Sequence, residues 1–203
     1  MPGALITLEG IDGAGKTTLA AGLADAFPEL VVLREPGGVA LSERIRDLVK
    51  DPGLVVGARA ETLLYAAARA QLVDEHLSPL LATGRPVLLD RFVDSSLAYQ
   101  GAGRGLGVDT VRAVNTLATG GLAADLTLLL RLDPAAGRAR AGGRDAAPDR
   151  LELEDDGFFT RVATAYDELA VAEPGRFAVL DATRPAADVL MAARAAVAGV
   201  LER

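Results

Sequence analysis

The chain has 203 residues, of which 50% are hydrophobic and 24% are charged, and this composition favours one globular domain over residues 1–203. The formal net charge of −7 argues against a protein that holds nucleic acid by its backbone, and the apolar runs are shorter than the ~18 residues of a membrane span. The absence of cysteine excludes disulfides and thiolate metal sites, and the first residues, MPG, lead into a strand-like run without a secretion signal. We therefore expect a cytoplasmic protein that binds neither nucleic acid nor membranes.

Short apolar runs alternate with longer helical patterns along the chain. The predicted strands span residues 4–9, 30–35, 86–90, 126–132 and 177–181. The predicted helices span residues 16–26, 41–50, 60–83, 108–119, 134–141, 156–172 and 186–202. Most of the strands are apolar throughout, as expected where helices cover both faces of a sheet. The alternation predicts an α/β fold with an open, five-stranded, mostly parallel sheet, whose ligands bind beyond the carboxyl ends of the strands.

The stretch LEGIDGAGKTTLA, residues 8–20, follows the first predicted strand and enters the first predicted helix. It contains the spacing G-x-x-x-x-G-K-T of a phosphate-binding P-loop. Lys16 would bridge the β- and γ-phosphates of ATP, and the Thr17 hydroxyl would hold Mg²⁺. A chance glycine-rich turn is the alternative, but strand, lysine, threonine and helix together favour the P-loop. The predicted nucleotide-binding residues are Gly10, Ile11, Asp12, Gly13, Ala14, Gly15, Lys16, Thr17 and Thr18.

A second feature of the sequence, an aspartate at the end of a predicted strand, supports the binding of Mg²⁺. The run VLLDR ends a predicted strand in Asp90. An aspartate at a strand end is often a cap, but beside a P-loop this is the position from which a carboxylate reaches magnesium, often through water. We therefore predict a magnesium site at Thr17 and Asp90.

The rest of the sequence narrows the class of P-loop protein. It lacks the N-K-x-D element with which P-loop switches bind guanine, and it lacks a recognisable signature loop of the motors and transport ATPases. The stretch GGRDAAPDR, residues 142–150, lies between two helical patterns and predicts a mobile loop. These features favour a small-molecule kinase.

Five segments closely resemble bacterial thymidylate kinase, a family that phosphorylates dTMP with ATP. In the family's order they are LEGIDGAGKTT, REPGG (34–38), LLYAAARAQ (63–71), DRFVDSSLAYQGAGRG (90–105) and DRLELED (149–155). The resemblance runs from the first strand to about Asp181. It implies a P-loop kinase fold with a lid at about 142–150, ATP and dTMP as substrates, and a homodimer.

The resemblance places the thymine base against one helix. Tyr65 and Arg69 are spaced i and i+4 and therefore project from the same helix face. The tyrosine, where the family usually has phenylalanine, would stack on the base. Arg69 would donate to the O4 carbonyl and reject the amino group of cytosine. Core packing of Tyr65 and a surface position of Arg69 are the alternatives.

The segment after Asp90 implies further contacts with the acceptor. Arg91 would bind the 5′-phosphate through its guanidinium fork. Asp94 would cap a short helix, Ser96 would contact the base, and Tyr99 would collide with a ribose 2′-hydroxyl and so select deoxyribose.

Four other positions complete the acceptor site that the resemblance implies. Asp12 would contact the 3′-hydroxyl of the sugar, and Gln100 would lie near the sugar. Glu35 would orient Arg91 or the sugar, and Arg46 would line the pocket.

An arginine that stabilises the transferring phosphoryl group is worth ~10³–10⁵ in rate. Some thymidylate kinases carry it directly after the P-loop aspartate, where this chain has Gly13. The resemblance therefore implies the branch whose lid supplies the arginine, with Arg144 and Arg150 favoured over Arg138 and Arg140. The predicted catalytic residues are Lys16, Arg91, Arg144 and Arg150.

Two other functions stay open at this point. A kinase for another nucleoside monophosphate, such as AMP, CMP or UMP, would differ in the contacts that Arg69 and Tyr99 make. A non-catalytic nucleotide-binding switch would hydrolyse ATP slowly, would not depend on an acceptor, and would not need the lid arginines.

Overall fold

The computed structural model of the chain describes residues 2–142 and 149–202. Five parallel strands form one sheet in the order β2-β3-β1-β4-β5. They are β1 (Leu5–Glu9), β2 (Val31–Arg34), β3 (Val87–Asp90), β4 (Leu126–Arg131) and β5 (Phe177–Asp181). Each strand end lies within one residue of its predicted position, and the predicted α/β fold with a five-stranded parallel sheet is confirmed.

Helices precede or follow every strand of the described chain. They are α1 (Lys16–Ala26), α2 (Ala40–Lys50), α3 (Ala58–Leu72), α4 (Ser78–Ala82), α5 (Val93–Ser96), α6 (Val108–Thr119), α7 (Pro134–Ala141), α8 (Asp156–Ala172) and α9 (Ala186–Leu201). A π-helical turn, Val73–Leu77, joins α3 to α4, so the predicted helix 60–83 is one continuous element with a local change of hydrogen bonding. A second π-helical segment, Leu97–Gly103, continues α5.

The helices bury both faces of the sheet. Alternate residues of β1 point to opposite faces, and Leu5 lies in a cluster with Leu72 and Leu77 of the α3–α4 element. Leu8 lies in the larger cluster on the other face, to which α1, α8 and α9 contribute. Within the described residues, no helix is long and apolar enough to cross a membrane.

The parallel register brings three loops together at one edge of the sheet. Leu8 of β1 pairs with Asp90 of β3, so the two strands end side by side. The chain continues this pairing past both strand ends, because the Arg91 amide donates to the Leu8 carbonyl at 3.0 Å and the Glu35 amide to the Asp90 carbonyl at 2.9 Å. The P-loop, the REPGG segment and the segment after β3 therefore adjoin one another.

Candidate active site

The loop between β1 and α1 folds around the Lys16 side chain. Its Nζ donates to the carbonyls of Gly10 and Ile11, both at 3.0 Å, and lies 4.0 Å from Asp12 Oδ1. Burial, together with the nearby positive charge of Arg91, lowers the pKa of Lys16 to about 8. The loop thus holds a buried cation at the N-terminus of α1, where the helix dipole also favours an anion.

Gly13 explains why the P-loop carries no arginine. Its φ is +80°, and a Cβ at this position would lie 2.1 Å from the backbone oxygen of Gly137 in α7. A side chain is excluded twice, by the left-handed backbone and by this close approach. The P-loop therefore packs directly on the helix that leads into the predicted lid.

Arg91 lies between the P-loop and the segment after β3. Its Nη2 donates to Asp12 Oδ1 at 2.8 Å, and its Nη1 donates to the Gly10 carbonyl and to Ser95 Oγ, both at 3.1 Å. Its guanidinium carbon lies 5.1 Å from the centre of the Tyr99 ring. Burial alone would raise the pKa of Asp12, but the charges of Arg91 and Lys16 outweigh it and lower the pKa to about 2.

Arg69 is 1% exposed, so the surface position considered from the sequence is wrong. Its Nε donates to Glu35 Oε2 at 2.8 Å, and its Nη2 donates to the Phe92 carbonyl at 2.9 Å. Its Nη1 donates to Ser96 Oγ at 2.9 Å and to Asn115 Oδ1. The protein therefore fixes the guanidinium plane before any ligand arrives.

Glu35 orients Arg69, whereas the sequence pointed to Arg91 or the sugar. Glu35 Oε2 also lies 2.7 Å from Arg69 Nη2, so the carboxylate oxygen bridges two nitrogens. Burial raises the pKa of Glu35, and the charge of Arg69 opposes this rise. Arg91 forms its ion pair with Asp12 instead of with Glu35.

A cavity of about 380 Å³ joins the P-loop to Arg69. This volume is within the range of ligand sites. All nine predicted acceptor residues line it: Asp12, Glu35, Arg46, Tyr65, Arg69, Arg91, Ser96, Tyr99 and Gln100. The nucleotide and metal residues that also line it are Gly13, Gly15, Lys16, Thr17, Thr18 and Asp90. The remaining P-loop positions are Gly10 and Ile11, which border a neighbouring cavity behind the loop, and Ala14, which is buried in the core.

Comparison with known proteins places the chain in a family. The family model described as thymidylate kinase matches residues 8–192. The chain is 54% identical over 187 residues to the thymidylate kinase of Deinococcus radiodurans, covering 90% of each. It is 48% identical over 199 residues to that of Lactobacillus delbrueckii, covering 95% of this chain and 94% of the relative. The crystal structure of thymidylate kinase from Ehrlichia chaffeensis matches with a TM-score of 0.70 and 30% identity, over 89% of this chain and 93% of that chain.

The chain belongs to the thymidylate kinase family. The resemblance noted from the five sequence segments is thereby confirmed, and so is the prediction of a phosphotransferase. Thymidylate kinase relatives align over most of the chain, so the family match includes the P-loop, the Arg69 helix and the segment after β3.

The predicted lid arginines of this thymidylate kinase family member have different surroundings. Arg144 lies outside the described residues. Arg150 contacts α2 and α3: its Nε donates to the Val49 carbonyl at 3.0 Å, and its Nη1 lies 2.7 Å from Glu61 Oε2. Arg140 lines the cavity and donates to the Ala182 carbonyl at 3.0 Å. The structure therefore brings Arg140 to the site and holds Arg150 against α2 and α3.

Sequence reasoning missed two buried acidic residues that support the site. Glu61 is fully buried, accepts from Gln100 Nε2 at 2.8 Å and pairs with Arg104 Nη2 at 3.0 Å. Its position four residues before Tyr65 on the same helix face was the available signal. The second missed residue is Glu9, for which the available signal was a charged residue at the end of an apolar strand.

Asp94 does not cap α5 as expected. The helix has no side-chain cap, and Asp94 is 3% exposed. Its Oδ2 accepts from Arg176 Nη1 at 2.6 Å and from Thr127 Oγ1 at 3.1 Å. A partly buried arginine partner outweighs a local cap because a charge-assisted hydrogen bond is about twice as strong as a neutral one.

Proposed function

We propose that the protein transfers the γ-phosphoryl group of ATP to dTMP, giving dTDP and ADP for dTTP synthesis. The observation that carries this proposal is a single cavity with Lys16 and Arg91 at one end and the anchored Arg69 at the other. One end suits phosphate groups, and the other suits a base with carbonyl oxygens. By likeness to the family, we further propose that it acts in the cytoplasm as a homodimer.

The base end favours thymine over cytosine. A guanidinium group only donates hydrogen bonds, so Arg69 accepts nothing from the amino group of cytosine. Ser96 Oγ accepts from Arg69, which leaves its own hydroxyl proton for a base carbonyl. The Tyr65 ring lines the same cavity and offers a surface for stacking.

The position of Arg91 indicates how the sugar and the phosphate of dTMP would bind. Tyr99 is 4% exposed, its ring lies beneath the Arg91 guanidinium group, and we propose that its bulk excludes a ribose 2′-hydroxyl. Arg91 would bind the acceptor phosphate with two parallel hydrogen bonds. An oxygen of that phosphate attacks the γ-phosphorus and ADP leaves. The acceptor is already an anion, so positioning and charge compensation suffice without a general base.

The residues present fit a magnesium ion. Asp90 Oδ1 is buried without a hydrogen-bond partner in the described structure, and Thr17 lines the same cavity. A hard cation or its bound water satisfies such an orphan oxygen. We propose that Thr17 and Asp90 hold Mg²⁺, which when bound neutralises charge on the phosphates.

The first prediction concerns the acceptor. With ATP and Mg²⁺, we expect dTMP to be by far the best substrate among dTMP, dUMP, UMP, dCMP and AMP, with dTDP as product and no turnover when EDTA replaces the metal. Coupled ADP release and chromatography of the products measure this. Equal ATP consumption with and without an acceptor would instead support a switch or ATPase. Preference for another monophosphate would overturn the roles of Tyr65, Arg69 and Tyr99.

The second prediction concerns the arginine of the transition state. We propose that the end of α7 or the lid supplies it, and that Arg150 has an anchoring role through Glu61. Among Arg140→Ala, Arg144→Ala and Arg150→Ala, we expect one of the first two to lower kcat by ~10³ or more. Arg150→Ala should chiefly lower the melting temperature, because Glu61 is fully buried and loses a partner. A large loss of kcat in Arg150→Ala at unchanged melting temperature would instead support Arg150 as the transition-state arginine that the sequence favoured.

A further inference from the structure

Glu9 is a charged side chain in the core of the protein. It ends β1 and is 0% exposed. Burial, together with the negative charge of Asp94, raises the pKa of Glu9 to about 7. A carboxylate at such a position costs free energy unless donors surround it, and an apolar residue would pack there at less cost.

Four groups donate to the two oxygens of Glu9. The Phe92 amide donates to Oε1 at 2.8 Å, and the Ser95 amide donates to it at 3.2 Å. The Ser95 hydroxyl donates to Oε2 at 2.6 Å, and the Tyr166 hydroxyl donates to it at 2.8 Å. Three of these donors belong to the segment that directly follows Arg91.

The Phe92 amide ties Glu9 to the backbone of Arg91. This N–H belongs to the peptide group that follows Arg91, whose φ of +69° lies in the left-handed region. Such a conformation costs about 1–3 kcal/mol in a residue other than glycine and persists where surrounding contacts enforce it. Glu9 therefore fixes the peptide plane that sets the direction of the Arg91 side chain.

The Ser95 hydroxyl ties Glu9 to the guanidinium group itself. Ser95 Oγ accepts from Arg91 Nη1 at 3.1 Å, so its own proton goes to another oxygen, and Glu9 Oε2 is 2.6 Å away. At its other nitrogen, Arg91 is bound by Asp12 of the P-loop. The guanidinium group is thus held from two sides.

We propose that Glu9 is a positioning residue for phosphoryl transfer, which holds Arg91 in its phosphate-binding orientation through the Phe92 amide and the Ser95 hydroxyl. The inference rests on the proposed function, because the phosphate that Arg91 binds is that of dTMP. It predicts that Glu9 and Ser95 act along one path, in which Glu9 is fully buried behind Ser95 and Ser95 lines the cavity beside Arg91.

Steady-state kinetics of four single variants test this. Glu9→Gln and Ser95→Ala each lower kcat/KM for dTMP, by up to about 10²-fold, because a misplaced guanidinium no longer matches the acceptor phosphate. KM for ATP stays near its wild-type value. Ser95→Thr keeps the hydroxyl and retains activity. The matched control is Ser42→Ala, which, like Ser95→Ala, removes the hydroxyl of a buried serine; the Ser42 hydroxyl donates to the Ala68 carbonyl at 2.7 Å.

A double-mutant cycle separates positioning from general stability. The Glu9→Gln/Ser95→Ala protein should be no worse than Glu9→Gln alone, whereas Glu9→Gln/Ser42→Ala should show additive effects, because Ser42 shares no bonding partner with Glu9. If Glu9→Gln does not fold, the contrast between Ser95→Ala and Ser95→Thr decides. If the wild-type protein phosphorylates dTMP and both Glu9→Gln and Ser95→Ala are as active as Ser42→Ala, this inference is overturned and the proposed function stands. A wild-type protein that does not phosphorylate dTMP would overturn the proposed function.

Discussion

Arg91→Ala lowers kcat/KM for dTMP about a thousandfold, equivalent to about 4 kcal/mol of transition-state stabilisation. Arg91 is the arginine that the structure holds between Asp12 of the P-loop and Ser95. Removing it takes away two charge-assisted hydrogen bonds to the acceptor phosphate and leaves the carboxylate of Asp12 to repel that phosphate. The loss should appear in both kcat and KM for dTMP, with KM for ATP changed much less.

Arg91→Lys tests whether geometry or charge matters. Lysine keeps the charge but lacks the planar fork, so it should restore only part of the lost activity. Arg194→Ala is the control, because Arg194 is exposed on α9 at a distance in sequence from every loop of the cavity. Equal activities of Arg91→Ala and Arg194→Ala would show that the acceptor phosphate binds elsewhere.

The secondary structure was predictable because its signals are local. The spans of α8 and β5 follow from a helical pattern over residues 156–172 and from a short apolar run over 177–181, and both match the structure. The order of the strands has no such signal, since it depends on which apolar runs meet across the sheet. The π-helical turn at Val73–Leu77 was missed because it changes hydrogen bonding without interrupting the helix.

The residues that form the site were predictable from the sequence, but the ion pairs and hydrogen bonds between them were less so. The motifs placed Arg69 and Glu35 in one pocket, yet their ion pair joins residues 34 positions apart in sequence. Asp94 was expected to make a local cap, but Arg176, 82 residues away, binds it instead. Partners of this kind come from tertiary packing, which overrides local preferences wherever a buried charge must be satisfied.

Glu35→Gln lowers the free energy of unfolding by about 3–5 kcal/mol, because it leaves the Arg69 charge buried without its anionic partner. Arg69 is 1% exposed, and its other acceptors are the neutral oxygens of Ser96, Asn115 and Phe92. Urea denaturation measures the change. Glu43→Gln is the matched control, since it breaks the exposed pair between Glu43 and Arg34 and should cost at most about 1 kcal/mol.

The double variant Glu35→Gln/Arg69→Met separates stability from recognition. It removes both charges, so it should regain much of the stability that Glu35→Gln loses. It should not regain selection of dTMP over dCMP, because methionine offers no donor to the base carbonyl. A single variant as stable as Glu43→Gln would mean that the neutral oxygens alone satisfy Arg69. A double variant that still prefers dTMP would mean that Ser96, rather than the guanidinium, distinguishes the two bases.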